Sequence, residues 1–477
     1  MIRIWAMTEN ELLFRAPLEA ALDHALVHVQ GGDAASVAAT KSLGELRDAL
    51  DVPLRDSGLP AADVVNQLAA AVEGGLLGSA GGRFFGWVIG GSLPSALAAD
   101  WLTSAWDQNA GLYACAPAAA VVEEVAGKWL KELLRVPAGA SFALVTGCQM
   151  AHVTCLLAAR HALLAKRGWD VEQAGLYGAP PIRILSSTEY HGTVKRAARF
   201  LGMGESNLIT LPVDADGRLV RSDLERALEA NADSPVLLVL QAGELNLGAF
   251  DDFATLIPIA KQYGAWVHID GAFGLWAAAS PRYKRFLDGA ELADSWATDG
   301  HKWLNVPYDC GYAFVNDVAA HHAALSHRAA YLTHGADARD QLDWNPEHSR
   351  RARGFATYAA LRELGRRGVA DLVERCCEHA HALVMRIGSL PSAEVLWEPT
   401  LNQGLVRFLD QRPGAVDADH DARTEHVMAA ILKSGEAFFT GTTWRGRRVM
   451  RVSVCNWQTS ADDVERIVRA VAGVLGR

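Results

Sequence analysis

Apolar and polar positions follow two different rhythms along the chain. In residues 1 to about 80 the apolar positions recur at helical spacing, in segments rich in Ala, Leu and Asp broken by "GGD" at Gly31 to Asp33 and "GLP" at Gly58 to Pro60. From about Gly81 to Arg353, short apolar runs alternate with longer amphipathic stretches. "SFALVTG" precedes "CQMAHVTCLLAARHALLAKRG", "IRILSST" precedes "EYHGTVKRAARFLG", "PVLLVLQAG" precedes "FATLIPIAKQYG", and "AWVHIDGAFG" closes the series. Strand followed by helix, repeated, predicts an α/β fold with a mostly parallel sheet covered on both faces. From Gly354 a long helical pattern leads to apolar runs at Leu405 to Leu409 and Val449 to Val454, then to a final helix opened by "TSADDVERIVRAVAGVL". The expected organisation is a helical N-terminal segment (1–80), a large α/β domain (81–353) and a small α+β domain (354–477). A chain of 477 residues is too long for a single core, which agrees with that division. Ligands of such sheets lie beyond the carboxyl ends of the strands, so the turns after the apolar runs are where chemistry is expected.

Composition narrows the partners. The net charge of −10 comes from mixed signs with no basic block, so nucleic acid is not an expected partner. Gly, Pro or charge interrupts every apolar stretch before it can span a bilayer, and no membrane partner is expected. The first thirty or so residues read as an amphipathic helix rather than a signal peptide, which points to the cytoplasm. Seven cysteines are scattered without a CxxC pair, predicting reduced thiols and no metal site; Cys376 and Cys377 lie in a helical pattern and are expected to pack.

The candidate chemistry starts with Lys302 in "DGHKWLNV". Partial burial before an apolar run would favour its neutral amine, the form that condenses with a carbonyl, although a lone lysine there more often snorkels to the surface. Asp270 changes the picture. An aspartate ending "AWVHID" is costly to bury unless a cation meets it, and no arginine adjoins it in sequence. A protonated pyridine nitrogen would serve; a helix cap or a distant arginine is the alternative. Gly271 and Ala272 are small enough to admit a flat ring against the backbone. His191, where "SSTEYHG" passes from strand to helix, is placed to cover a ring or deliver a proton. "VTGCQMAH" reads as strand, glycine turn and helix start, so the turn at Gly147, Cys148 and Gln149 presents backbone N–H groups and a helix dipole to a phosphate. Together Asp270 and Lys302 would grip opposite parts of pyridoxal 5'-phosphate.

With those residues in place the chain resembles the group II pyridoxal-phosphate-dependent decarboxylases, the family of aromatic-L-amino-acid, histidine and glutamate decarboxylases. The resemblance rests on "SSTEYHGTVKRAARFLG", "HIDGAFG", "DSWATDGHKWLNVPYDCG" and "PEHSRRARGFATYAALRELGRRG", with weaker matches in "GGRFFGWVIGGSLPSALAADWL" and "MRVSVCNWQTSADDV", and covers roughly residues 80 to 475. It implies fold type I of the pyridoxal-phosphate enzymes and a homodimer with active sites at the interface. It further implies Lys302 as the Schiff-base lysine, Asp270 as partner of the ring nitrogen, His191 stacked on the ring, Ala272 packed on it, and His301 near the phosphate. Phe84, Phe85 and Trp87 would wall the substrate pocket, or equally belong to the core.

Three departures from the family pattern stand out. The phosphate turn carries Gln149 where a hydroxyl is usual. Asp299 stands where Asn is common; it is expected to face away from the anion, leaving Thr298 as the contact. Finally, "THGADARDQLDWNPEHSRR", after "AAYL", has no tyrosine to protonate the carbanion left by decarboxylation, Tyr331 belonging to the preceding element. His334 or a water would then deliver the proton. The expected activity is decarboxylation of an L-amino acid, aromatic or apolar in side chain, to its amine through an external aldimine and a quinonoid. The alternatives are an aldehyde synthase, in which oxygen intercepts the carbanion, and an aminotransferase or carbon–carbon lyase on the same fold. A noncatalytic cofactor-binding relative is disfavoured by the joint presence of Asp270, His191 and Lys302.

Overall fold

The computed structural model describes residues 9–31, 35–327 and 338–476. Three helices, Glu9–Gln30, Leu43–Leu50 and Ala61–Val72, form the lead-in. The second begins at a reciprocal cap, in which the Ser42 hydroxyl accepts from the Glu45 N–H and the Glu45 carboxylate accepts from the Ser42 N–H. Neither the second nor the third helix buries a residue, and Leu18, Leu22, Leu26 and Val29 form an exposed apolar stripe on the first.

The sheet begins later than the apolar rhythm suggests. Residues 81–140 contribute the helices Pro94–Trp106 and Pro117–Leu133, each with proline in its first turn, where its missing N–H costs nothing. The large sheet then comprises β1 (Ser141–Val145), β2 (Arg183–Ser187), β3 (Leu208–Leu211), β4 (Val236–Gln241), β5 (Trp266–Asp270), β6 (Ser295–Asp299) and β7 (Gly311–Val315), in the order β1-β7-β6-β5-β4-β2-β3. All neighbours run parallel except β7, which is antiparallel to both β1 and β6.

Successive side chains in a strand face opposite ways, and the core divides accordingly. Leu237, Val239, Trp266, Ala297 and Ala313 pack on the side of the helix Cys148–Ala165, whereas Leu238, Leu240, Val267, Ile269 and Trp296 pack on the other. Every residue of β4 and β5 is buried, so "VLLVLQ" reads as a continuous apolar run.

The helix Gly354–Gly388 breaks its regular backbone at Gly365, where φ is 59°. Its first part packs on the helices Pro94–Trp106 and Pro117–Leu133 and its remainder on the small sheet. That sheet is antiparallel, with β8 (Ala393–Trp397), β9 (Gln403–Phe408), β10 (Thr440–Trp444) and β11 (Arg447–Ser453) in the order β10-β11-β9-β8. The expected apolar runs are β9 and β11; β8 and β10, more polar and only partly buried, escape the pattern. Among the described residues no helix is long and apolar enough to cross a membrane.

Candidate active site

The alternation that builds the core also aims the site. On β5, Trp266, His268 and Asp270 share the face toward the helix Cys148–Ala165, and on β6 the same face carries Ser295, Ala297 and Asp299. Asp270 and Asp299 thus end neighbouring strands at their carboxyl edge, over the start of that helix.

Asp270 is buried. Its Oδ1 accepts the Ala272 N–H at 3.2 Å, and its Oδ2 lies 3.5 Å from His152 Nε2. Burial alone would raise this carboxyl, but the hydrogen bond and charge of His152, with His191 and Lys302 nearby, outweigh it and hold Asp270 below the ordinary carboxylate range. His152 Nε2 also touches Cys148 Sγ at 3.5 Å, and the three residues bring sulfur, nitrogen and oxygen within 4.8 Å of one another, a spacing their hydrogen bonds account for.

Lys302 lies in the turn after β6 with one-fifth of its side chain exposed, and its Nζ meets Asp299 Oδ2 at 3.1 Å. This corrects the expectation of a neutral amine. Burial does push the amine down, but Asp299 and Cys148 push harder, and the net displacement is upward. The expectation that Asp299 faces away is also overturned. Its Oδ1 accepts the Cys148 N–H at 2.5 Å and sits 3.4 Å from His301 Nε2. Thr298 points to the opposite face of β6, its hydroxyl on the Ala272 carbonyl at 3.4 Å, so Asp299 rather than Thr298 reaches the helix start. A one-residue choice along a strand decides between the two.

The start of the helix Cys148–Ala165 is capped by Gly147 at φ 149°, and a Cβ there would lie 3.1 Å from His301 Cε1. His301 accepts the Cys310 N–H at 3.3 Å and stacks on Tyr308 with centroids 4.3 Å apart. Burial lowers its pKa, with Asp299 opposing. Gln149 donates to the Thr193 carbonyl at 3.2 Å, while its buried Oε1 has no partner among the described residues. A carboxylate already seated on this helix terminus marks it as an anion site.

His191 caps the helix Gly192–Phe200. Its Nδ1 takes the Thr193 N–H at 3.4 Å and lies 2.7 Å from Thr193 Oγ1. Its pKa is lowered by burial, with Asp270 opposing and Lys302 and Arg451 adding to the fall, which places the ring within the field of all three. A neutral ring of this kind can lie over a flat cofactor.

Two of the three pocket aromatics are core. Phe84 stacks on Phe438 with centroids 4.5 Å apart, and Phe85 stacks on Phe439 at 5.4 Å, both joining this segment to the residues that lead into β10. Only Trp87 stays exposed. Its N–H donates to Thr440 Oγ1 at 3.2 Å, the same oxygen that Arg451 reaches at 3.3 Å. His334 and Tyr331 lie outside the described residues.

Sequence reasoning missed His152, Asp299 and Arg451. Arg451 is a buried cation on β11, bonded to the Leu245 carbonyl at 3.1 Å, and burial lowers it to about 10 with Glu244 opposing. An arginine inside the apolar run "RVMRVSV" was the available signal. Asn305 was a further silent residue. Three residues beyond Lys302 and fully buried at φ 55°, it accepts from the Gly91 and Trp457 N–H groups at 2.6 and 3.0 Å and donates to the Trp303 and Cys455 carbonyls at 2.8 and 2.9 Å.

A basic amine, a buried anion, a flat neutral imidazole and an anion-binding helix start suit one aromatic aldehyde phosphate. Residues 44–409, more than half of the chain, match the family described as the pyridoxal-dependent decarboxylase conserved domain. The chain belongs to that family. This pyridoxal-dependent decarboxylase is 30% identical to L-2,4-diaminobutyrate decarboxylase of Rhizobium meliloti, over 79% of this chain and 74% of the relative. It is 27% identical to tryptophan decarboxylase 1 of Oryza sativa, over 86% and 84%. Among solved structures, Oryza sativa TDC with PLP and tryptamine superposes with a TM-score of 0.91 at 23% identity, covering 99% of each chain. Rhodiola rosea 4-hydroxyphenylacetaldehyde synthase superposes with 0.86 at 20%, covering 98% of this chain and 99% of that one. The decarboxylase is a pyridoxal-phosphate-dependent lyase acting on an amino acid, with the fold type I architecture expected for it.

Proposed function

We propose that the enzyme converts an L-amino acid with an aromatic or apolar side chain to the amine and carbon dioxide. The observation that carries this reading is the placement, at one sheet edge, of a buried Asp270 held as an anion and a Lys302 amine that meets Asp299 at 3.1 Å. Bound pyridoxal phosphate would supply an aldehyde for amines and a ring that accepts the electron pair left at Cα when carbon dioxide departs. Asp270 would keep the ring nitrogen protonated. Lys302 would hold the aldehyde, and Asp299, 3.1 Å from its Nζ, would stabilise the charged amine whenever Lys302 is free. His191 would cover one ring face and Ala272 the other. The N–H groups after Gly147, with Cys148, Gln149 and His301, seat the phosphate, and Asp299 must share that helix start with it.

Arg451 is the cation suited to the substrate carboxylate. It is buried within electrostatic reach of His191 and donates to the neutral Leu245 carbonyl and Thr440 hydroxyl, with Glu244 near enough to oppose its burial. The exposed Trp87, one hydroxyl from Arg451, supports a flat or apolar side chain in the substrate. His334 is proposed as the proton donor to Cα, and replacing it with Phe should slow amine formation or divert product to aldehyde. The missing tyrosine in 332–350 favours a second reading, oxidation to an aldehyde, as the name of the Rhodiola rosea structure says of that protein.

The enzyme is proposed to act as a homodimer. The unburied second and third helices and the stripe Leu18, Leu22, Leu26 and Val29 are the surface a second copy would cover. A stable, active monomer in sedimentation would contradict this. Seven unpaired cysteines, six of them buried, support a reducing compartment, the cytoplasm.

The deciding experiment incubates holoenzyme with carboxyl-labelled L-amino acids and identifies products by mass. Carbon dioxide with a matching amine supports the decarboxylase and names the substrate. Carbon dioxide with aldehyde, peroxide and ammonia supports the synthase, and no carbon dioxide from any amino acid overturns both.

A further inference from the structure

Beneath Asp270 runs a buried polar chain that the decarboxylation chemistry does not itself require. His152 Nε2 faces Asp270 Oδ2 at 3.5 Å, His152 Nδ1 meets His268 Nε2 at 2.9 Å, and His268 Nδ1 meets Ser295 Oγ at 2.9 Å. Trp266 Nε1 closes it on the same Ser295 oxygen at 2.9 Å. Both imidazoles and Ser295 are fully buried. The residues come from three elements, with Ser295 set beside His268 by the β5/β6 register and His152 supplied by the helix above.

The chemistry of the donors narrows the chain to two directions. An indole only donates, so Ser295 Oγ accepts from Trp266. In one arrangement the Ser295 hydroxyl donates to His268 Nδ1, His268 Nε2–H donates to His152 Nδ1, and His152 Nε2–H donates to Asp270. In the reverse arrangement His268 donates to Ser295 and His152 Nδ1–H donates to His268. The Ser295 proton then turns toward the neighbouring Cys155 thiol. Here His152 Nε2 would oppose a carboxylate with a bare lone pair unless it carried a second proton. The reverse arrangement leaves that nitrogen to the Cys148 thiol, a weak donor 3.5 Å away, and the first, which aims an N–H of His152 at Asp270, is the one adopted here. With the Ala272 N–H on Oδ1, both carboxylate oxygens are anchored from the protein side. Three buried polar side chains are a costly way to fill a core that Ala and Val fill on the same face, and a fully satisfied network of this kind favours one arrangement over many.

We propose that His152, oriented by His268 and Ser295, is a positioning residue that fixes Asp270 as an anion in one orientation and thereby sets how firmly the cofactor's ring nitrogen holds its proton. The proposal rests on Asp270 facing that nitrogen. Outer partners of a charged centre are worth about 10–100-fold in activity at metal sites, and a similar range applies here.

The test uses holoenzyme reconstituted with pyridoxal phosphate labelled with ¹⁵N in the ring. It compares wild type, His152→Leu, His152→Gln, Ser295→Ala and Asp270→Asn by ring-nitrogen chemical shift, cofactor dissociation constant, and kcat and KM. His152→Leu should move the ¹⁵N shift toward the unprotonated value, weaken cofactor binding about tenfold and lower kcat about 10–100-fold with KM changed less than about twofold. His152→Gln, which restores an N–H donor, should recover most of the shift. Ser295→Ala should show a smaller displacement in the same direction, and serves if His152→Leu does not fold. A wild-type ¹⁵N shift in every folded His152 and Ser295 variant, with Asp270→Asn displaced, overturns the positioning role. A wild-type shift in Asp270→Asn as well overturns the placement of Asp270 beneath the ring.

Discussion

Replacing Asp299 with Asn should make Lys302 a faster nucleophile toward the cofactor. The two groups are 3.1 Å apart, and opposite unit charges at that distance attract by about 5 kcal/mol at an effective dielectric near 20. Burial of the amine offsets part of this. If about half survives, the amine is held up by roughly two pKa units, a hundredfold in the fraction that is uncharged and able to condense. The assay mixes cofactor-free enzyme with pyridoxal or with pyridoxal phosphate at pH 7.5 and follows the visible absorbance of the product with Lys302. Pyridoxal carries no phosphate, so it isolates the amine effect from repulsion between Asp299 and the phosphate. Asp299→Asn should accelerate pyridoxal capture about 10- to 100-fold and pyridoxal phosphate capture by more. The wild-type rate should keep climbing with pH beyond the ordinary lysine range, because the pKa of Lys302 is raised, whereas the variant should level off earlier. The pair's contribution to stability has the matching sign, present below the unfolded lysine pKa and lost as pH rises through the folded one. Equal pyridoxal rates at pH 7.5 and superimposable pH curves would refute the reasoning.

Other expectations are more quickly checked. Lys302→Ala should lose the borohydride-reducible adduct, and an adduct mapped to another lysine would remove Lys302 from its role. Burial pushes His268, like His321, down to about 3. Both are neutral in the fold and take up protons on unfolding below about 6.5, so stability should fall as pH drops from about 6.5 toward 3, by up to about 1.4 kcal/mol per pH unit for each. His321→Asn should remove one proton's worth of that slope in urea titrations, and an unchanged slope would contradict its buried neutral state. A Cβ on Gly90 would lie 1.9 Å from the Lys302 carbonyl, so Gly90→Ala should destabilise the enzyme by about 1–3 kcal/mol and weaken cofactor retention, measured by dialysis and thermal melting. Arg451→Gln should raise KM more than it lowers kcat if the guanidinium binds the substrate carboxylate; an unaltered KM would exclude that contact.

The parallel sheet and the Asp270–Lys302 pair were legible because each has a local signature, an apolar run ending in a turn and an aspartate where burial demands a cation. His152 was not, since its partner is more than a hundred residues away and its own segment reads as an ordinary amphipathic helix. Asp299 and Thr298 were exchanged because β6 is buried on both faces, so its pattern does not say which neighbour points toward the helix start. Phe84 and Phe85 were ambiguous for a related reason. Aromatic residues serve a pocket and a core alike, and only their stacking on Phe438 and Phe439, far along the chain, separates the two.

Asn305 carries a consequence for how the enzyme matures. Its amide holds Gly91 near the chain's beginning and Cys455 and Trp457 near its end, three residues from the lysine that takes the cofactor. The contacts that hold the lysine turn are therefore complete only once residues up to Trp457 have been made. A chain truncated before Cys455 would lack them, and should retain the cofactor less well than the full-length chain on dialysis.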